Sequence, residues 1–335
     1  MTKAEQSYTI LDRIPTDEDE DARLFAEEIL VGLSESPKRL GSKYFYDDTG
    51  SRLFQQICTL DEYYPTRIER DILRSSAADI LGPVAEHPLN IVDLGAGDGH
   101  KTAALLEWLL ERGADVRYVP IDISEGAMKE ALSILGAQLP NLVIEGIVSD
   151  YFEGLSWLAR QTERMNFVLF LGSNIGNFDK PRARAFLRRL WNALNPNDRA
   201  LVGFDLKKDI EALLRAYNDR AGVTARFNLN LLERINRELG ADFDLDKWRH
   251  YGTYNVFTGA MESYLVSLEA QTVRIDAVAH AFHFAPWEPI FTEYSYKYLE
   301  SDIDALAESA HFVTERKFHD PKGWFCDAVW KVEKL

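Results

Sequence analysis

The run Gly95-Ala-Gly97-Asp98-Gly99-His100-Lys101-Thr102 follows the apolar segment LNIVDL directly and leads into KTAALLEWLLER. Glycines let a backbone turn sharply and come close to a ligand, and the start of a helix offers free N–H groups. Asp122 closes the next apolar run, VRYVPID, 23 residues after Gly99. A carboxylate there can accept hydrogen bonds from two ribose hydroxyls. Asp150 closes a third run, in VSDY, where it can meet an adenine amino group while Tyr151 flanks the ring. Two cofactor classes fit this set. A dinucleotide needs G-x-G-x-x-G spacing, with its pyrophosphate on the helix N-terminus. Here the spacing is G-x-G-x-G and Asp93 stands just before it, an acid that would repel pyrophosphate but could hold a cationic amino-acid group. S-adenosylmethionine carries an adenosine, a sulfonium and an ammonium without phosphate, and suits the acidic pattern better.

Other reactive residues weigh less. His280 and His283 stand three apart, but AVAHAFHFAPW reads as a strand, which would point them to opposite faces; no metal is expected. Cys58 and Cys326 sit among apolar or aromatic neighbours and read as ordinary buried thiols. Glu293, between apolar FT and Tyr294, is the acid least expected in a strand interior.

These residues hang on a clear alternation. From Leu89 onward, LNIVDL, VRYVPIDI, NLVIEGIVSD, MNFVLFLG and RALVGFDL alternate with helical stretches. Near-continuous apolar strands separated by helices indicate an α/β fold with a parallel sheet covered on both faces. After Asp205 the alternation stops. Residues 209–240 read as two helices, the second with Phe227, Leu231, Ile235 and Leu239 four apart and an end at Gly240. Residues 251–296 read as strands, and the chain closes with a helix over 301–310 and a β-hairpin. The late insert is expected to join residues 28–67 as a second domain beside the sheet's carboxyl edge, where open α/β sheets bind ligands. The polar first 20 residues are expected to be loosely ordered up to the acidic run Asp17–Asp21, a solvated helix start.

Composition removes whole classes of function. With Lys+Arg 38 against Asp+Glu 54, the net charge of −16 opposes nucleic acid and anionic membrane surfaces as partners. Two cysteines cannot build a disulfide framework, and neither a spanning apolar run nor a signal-type N-terminus is present, so a cytoplasmic protein is expected.

Four segments carry a resemblance: KYFYDDTGSRLFQQICTLDEYYPTRIE (43–69), FLGSNIGNF (170–178), DLKKDIEALLRAYNDRAGVTARFNLNLL (205–232) and TEYSYKY (292–298). They resemble the histidine Nα-methyltransferases of ergothioneine biosynthesis, in the same order from about residue 20 to the C-terminus. The resemblance implies a class I methyltransferase fold, Rossmann-like with a seven-stranded doubly wound sheet, and an inserted α+β substrate domain. The corresponding boundaries are 1–27, 68–207 and 297–335 for the S-adenosylmethionine-binding domain, and 28–67 with 208–296 for the substrate domain. It implies that Tyr46, Gly95, Lys101, Asp122, Asp150 and Tyr151 line the cofactor site, Tyr151 standing where the family has phenylalanine. Tyr63, Asn177 and Tyr217 would hold the carboxylate and amine of free L-histidine, and Glu293 and Ser295 its imidazole. Where the family's histidine enzymes carry methionine beside the imidazole, this chain has Ser263, within MESYLVS. The chain is expected to act as a monomer. Another aromatic amino acid as substrate, an NAD-dependent oxidoreductase and a non-catalytic binding protein are the alternatives.

Overall fold

The continuous apolar runs become the central strands in the computed structural model, which describes residues 6–11, 18–97, 99–123, 125–161 and 163–334. The strands are β1 (Gln6–Ile10), β2 (Leu89–Leu94), β3 (Val116–Asp122), β4 (Val143–Val148), β5 (Met165–Phe170), β6 (Arg199–Asp205), β7 (Trp248–Asn255), β8 (Ala260–Ser267), β9 (Gln271–Ile275), β10 (His280–Phe284), β11 (Pro289–Tyr296), β12 (Phe312–His319) and β13 (Phe325–Val332). The helices are α1 (Glu18–Ser34), α2 (Asp48–Cys58), α3 (Tyr64–Leu81), α4 (His100–Glu111), α5 (Glu125–Gln138), α6 (Tyr151–Gln161), α7 (Lys180–Ala193), α8 (Ile210–Tyr217), α9 (Val223–Leu239) and α10 (Glu300–Ser309). Two compact units result: Met1–Ile14, Pro65–Lys207 and Lys297–Leu335 form the first, Pro15–Tyr64 and Lys208–Tyr296 the second.

The first unit is built on one sheet of order β1-β4-β3-β2-β5-β6-β13-β12. Strands β1 to β6 run parallel, β13 runs antiparallel to β6, and β12 antiparallel to β13. The chain steps outward from β2 to β3 and β4, then returns to place β5 and β6 on the other side of β2. The reversal point lies between β2 and β5, where a doubly wound sheet opens a crevice at its carboxyl end. Leu105, Leu106 and Leu109 of α4 and Leu73 and Leu81 of α3 pack with Ile91, Tyr118 and Phe167 of the strands in one buried core.

Two expectations are corrected. The sheet has eight strands rather than seven, because Gln6–Ile10 pairs in parallel with Ile144–Val148. Its polar, two-faced sequence gives no burial pattern to read, and the Tyr8 hydroxyl donates to Glu125 Oε1 at 2.8 Å. The first domain boundary falls before α1 rather than at 27/28, since α1 lies whole in the second unit, with Phe25, Ile29 and Leu33 in that unit's core. Of the acidic run, Asp17 lies outside the described residues, and Glu18 opens α1.

The second unit has a three-stranded antiparallel sheet, β11-β8-β7, and the hairpin β9-β10. Phe227, Leu231, Ile235 and Leu239 of α9 are all buried, meeting Ile29, Leu265 and Ile290. Helix α9 ends where Gly240 turns left-handed (φ 63°). Asp47 caps α2 by accepting the Gly50 N–H at 2.7 Å, and it also accepts from Asn230 (2.8 Å) and Arg237 (2.6 Å) of α9.

Candidate active site

In the first unit, the turn after β2 holds Gly95, Gly97 and Gly99 at φ 73°, 57° and 72°. Left-handed backbone favours glycine, and space demands it as well. A Cβ on Gly95 would lie 2.7 Å from the Tyr151 hydroxyl, and one on Gly99 2.5 Å from Leu135 Cδ1. Asp98, between them, lies outside the described residues. Gly95 therefore lets Tyr151, at the start of α6, close against the loop, and Gly99 does the same for Leu135. Burial, then the Asp122 and Asp93 carboxylates, push the Tyr151 phenol up, so it stays a neutral hydroxyl. Its ring meets Phe170 and Phe186 edge-on, at 6.3 and 6.4 Å between centroids.

Asp122 ends β3, half-buried, at the sheet's carboxyl end. Asp150 is exposed, and its Oδ1 takes the N–H groups of Phe152 (2.9 Å) and Glu153 (3.2 Å), so it also caps α6. Asp93 points inward instead. One of its oxygens accepts the hydroxyls of Thr102 (2.5 Å) and Tyr118 (3.0 Å), tying α4 and β3 to β2. Burial pushes its carboxyl up. The reading of Asp93 as a seat for a cationic group thus gives way to a structural role. Lys101, on α4, donates to Glu69 Oε2 at 3.0 Å, and the other Glu69 oxygen accepts the Gly172 N–H at 2.6 Å.

The loop FLGSNIGNF follows β5 at the same carboxyl end. Gly172 and Ser173 are both left-handed, and the Ser173 hydroxyl accepts the Asp205 N–H at 3.0 Å. Asn177 closes the short 3-10 turn Asn174–Asn177 of this loop, and the Tyr298 hydroxyl holds it by donating to the Ile175 carbonyl at 3.2 Å. Next to it, Asp205 and Lys297 form an ion pair of 2.8 Å with side chains 1% and 0% exposed.

In the second unit, Tyr217 ends α8 and donates its hydroxyl to Ser295 Oγ at 2.7 Å. Tyr63 meets Tyr217 edge-on with centroids 6.3 Å apart. Glu293 is the ladder partner of Ser263, and Ser295 that of Met261. Residues two apart share a face, so Glu293, Ser295, Ser263 and Met261 stand together on one side of the sheet. A bulge between Phe291 and Glu293 sets that register, and the Thr292 hydroxyl fixes it by donating to the Ser263 carbonyl at 2.9 Å. Tyr46, 45% exposed, lies edge-on to Phe54 and Phe227. The two units divide the sequence-derived set: Gly95, Lys101, Asp122, Asp150, Tyr151 and Asn177 belong to the first, and Tyr46, Tyr63, Tyr217, Ser263, Glu293 and Ser295 to the second.

Four supporting residues escaped sequence reasoning. Buried His250 gives its Nε2–H to the Tyr217 carbonyl at 3.1 Å, and burial lowers its pKa and keeps it neutral. Asn218 clasps Gly252 on β7 through both backbone groups, at 3.0 Å each. Both hold the end of α8 against the sheet and so aim the Tyr217 ring. Met261 puts a buried sulfur beside Ser295, and Glu69 supports Lys101. Only Met261 had a sequence signal, two residues before Ser263 in an alternating strand.

His280 and His283 are both exposed and lie on β10, a strand, in which residues three apart point to opposite faces. Among the described residues, Glu300, His319 and Cys326 bring a carboxylate, an imidazole and a thiol within 4.8 Å of one another. Lys317 already donates to the second Glu300 oxygen at 2.9 Å, and burial pushes the Cys326 thiol up, so the group reads as an ion pair over an inert thiol. No described helix is long and apolar enough to cross a membrane.

Residues 25–332 match the family described as histidine-specific methyltransferase, SAM-dependent. A histidine N-alpha-methyltransferase of Mycolicibacterium smegmatis is 38% identical over 307 residues, 92% of this chain and 94% of that protein. One from Mycobacterium tuberculosis is 38% identical over 299 residues, 89% of this chain and 92% of its own length. Ergothioneine biosynthesis protein 1 of Schizosaccharomyces pombe is 31% identical over 307 residues, 88% of this chain but 39% of that longer protein.

Proposed function

The chain belongs to the histidine-specific, S-adenosylmethionine-dependent methyltransferases, and on that premise we propose that it methylates the α-amine of free L-histidine, three times, to the betaine hercynine of ergothioneine biosynthesis. The observation that carries the substrate is the polar set on one face of the second unit's sheet. Glu293 and Ser295 supply an anionic acceptor and a hydroxyl, and Tyr217 orients that hydroxyl.

Methyl transfer from a sulfonium is an in-line displacement, so the protein's work is to aim a neutral amine at the methyl carbon and exclude water. The cofactor supplies the electrophilic methyl group. Asp122 is assigned to the ribose hydroxyls, Asp150 through its second oxygen to the adenine amine, and Tyr151 and Gly95 to the adenosine. Lys101 is assigned to the carboxylate of the cofactor's amino-acid part, and Tyr46 to the same ligand. Tyr63, Asn177 and Tyr217 are assigned to the substrate's carboxylate and amine. Tyrosine and asparagine position an amino acid without offering a competing nucleophile. Glu293 accepts the imidazole N–H in a charge-assisted hydrogen bond, which contributes about 1.5–3 kcal/mol. None of these groups is a strong base, so the amine binds neutral or passes its proton to a tyrosine hydroxyl or to water.

Ser263 favours a second reading, methylation of another aromatic amino acid such as tryptophan, because serine fills less space opposite Glu293 than methionine would. Buried Met261 on the same face restores a polarizable wall and keeps histidine first. A cytoplasmic monomer acting on a free amino acid completes the reading. The test is incubation with S-adenosylmethionine and a panel of free amino acids, with product masses read. Histidine should gain up to three methyl groups, only with the cofactor present. Methylation of another amino acid while histidine stays unmodified would overturn the substrate assignment.

A further inference from the structure

Asp327, on β13, is fully buried, and neither of its carboxyl oxygens has a hydrogen-bond partner. Its ladder partner on β6 is Gly203. A Cβ on Gly203 would lie 2.2 Å from Glu69 Oε1 and 3.2 Å from Asp327 Oδ1. The absent side chain thus leaves the space in which two buried carboxyl groups approach each other. Glu69, 0% exposed, already accepts from Lys101 Nζ and the Gly172 N–H. Lys101 Nζ stands 2.9 Å from the Cβ position of Gly172, so the lysine, the loop after β5 and the two acids form one cluster.

Charge balance decides its state. The ionisable groups facing Asp327 are Glu69 on α3 and Lys101 on α4. Asp93 on β2 also faces Lys101 and Glu69, but two hydroxyls satisfy one of its oxygens. Two ionised acids beside one ammonium would leave a buried negative charge uncompensated and without a donor, which is costly. A proton on Asp327 removes that charge and gives Glu69 a third donor, where a carboxylate has room for about four. Like-charged carboxyls held close share a proton for the same reason.

We propose that Asp327 is a neutral carboxylic acid donating its O–H to Glu69, and that this acid pair positions Lys101 for the cofactor. Burial, and after it the Glu69 carboxylate, push the Asp327 carboxyl well above the ordinary range, in the same direction. Asp327 and Glu69 are positioning residues that act through Lys101. The positioning half rests on the assignment of Lys101 to the cofactor; the proton's place does not.

Two readouts on the full-length protein test it. Infrared difference spectra of the ligand-free protein at neutral pH, wild type against Asp327→Asn, should show a neutral-acid C=O stretch that the variant lacks. Calorimetry with S-adenosylhomocysteine should show Asp327→Ala weakening affinity about 5-fold or more, as expected for a lost donor to a buried charge. Asp327→Asn keeps a donor and no charge, and should recover affinity to within about 2-fold, below the loss of that bond. Absence of the band overturns the neutral acid. A band with cofactor affinity unmoved by Asp327→Ala overturns the positioning role. Asp327→Asn weakening binding as much as Asp327→Ala also overturns that role. Should Asp327→Ala fail to fold, the infrared comparison still decides whether the acid pair holds a proton. Neither readout uses an amino-acid substrate, so a failed histidine assignment leaves both intact.

Discussion

Replacing Glu293 separates the substrate's anchor from the reacting amine. The side chain is half-buried at a regular ladder position opposite Ser263, beyond the bulge, and its neighbour Thr292 keeps its own bond to the Ser263 carbonyl. Glu293→Ala should therefore fold normally. On the proposed assignment it removes a charge-assisted hydrogen bond to the imidazole, about 1.5–3 kcal/mol, or roughly a 10- to 150-fold fall in kcat/KM for histidine. Glu293→Gln keeps an acceptor oxygen and loses the charge. A neutral bond contributes about half as much, so Gln should recover part of the loss, leaving a deficit of roughly 3- to 12-fold. Most of the change should appear in KM, with some fall in kcat because a loosely held ring misplaces the amine. Steady-state kinetics against histidine give these values. Calorimetry with S-adenosylhomocysteine serves as the control and should move by less than about 2-fold, the margin of a contact not lost. Histidine kinetics within about 2-fold of wild type in Glu293→Ala would remove Glu293 from the imidazole site, because that lies well below the bond's magnitude. A parallel loss of cofactor affinity would equally refute the reasoning, since it would mark a structural role.

Asp122→Ala should weaken cofactor binding by about 10- to 150-fold while the circular dichroism spectrum is preserved; unchanged affinity in a folded variant would take Asp122 out of the site. Ser263→Met should tighten histidine by about 2- to 12-fold through sulfur–ring contact and narrow the substrate range. Comparison of kcat/KM for histidine and tryptophan in both forms checks it, and wild-type preference for tryptophan would count against the histidine reading. His250 is held neutral, its pKa below the ordinary 6.5. Unfolded chains bind that proton more readily, so the stability it contributes is present above about pH 6.5 and lost as the pH falls below it. Urea unfolding at neutral and mildly acidic pH should show that loss in wild type and less of it in His250→Gln. An unchanged pH slope would contradict the account.

How much of this was readable from the residues follows from what each element buries. The strands β2 to β6 announce themselves because both faces are covered and most positions are apolar. Helix α9 does so through Phe227, Leu231, Ile235 and Leu239 at one-turn spacing. Strand β1 does not, because a short edge strand with polar positions on both faces carries neither signal. Glycine and acid placement marked the loop after β2 as a candidate cofactor loop, yet Asp93 and Asp150 show the limit of that logic. An acid after a strand can tie the core together or cap the next helix as readily as it can bind a ligand, and sequence alone does not say which oxygen is spoken for. The buried charges were least visible. Asp327 within FCDAVW, Lys297 within TEYSYKY and Glu69 within PTRIE each look like solvent-facing residues in an alternating or helical pattern. Their partners, Glu69 beside Asp327 and Asp205 beside Lys297, lie far away along the chain. Only the fold brings them together.

In the proposed reaction the α-amine of histidine is the acceptor, fixed by an anchor on the ring. The most direct test supplies S-adenosylmethionine labelled with carbon-13 in its methyl group, together with free L-histidine, and reads the product by nuclear magnetic resonance. The account predicts one labelled signal from three equivalent methyl groups on the α-nitrogen, with both ring nitrogens unmodified. Label on a ring nitrogen, or no label on histidine while tryptophan is labelled, would contradict it.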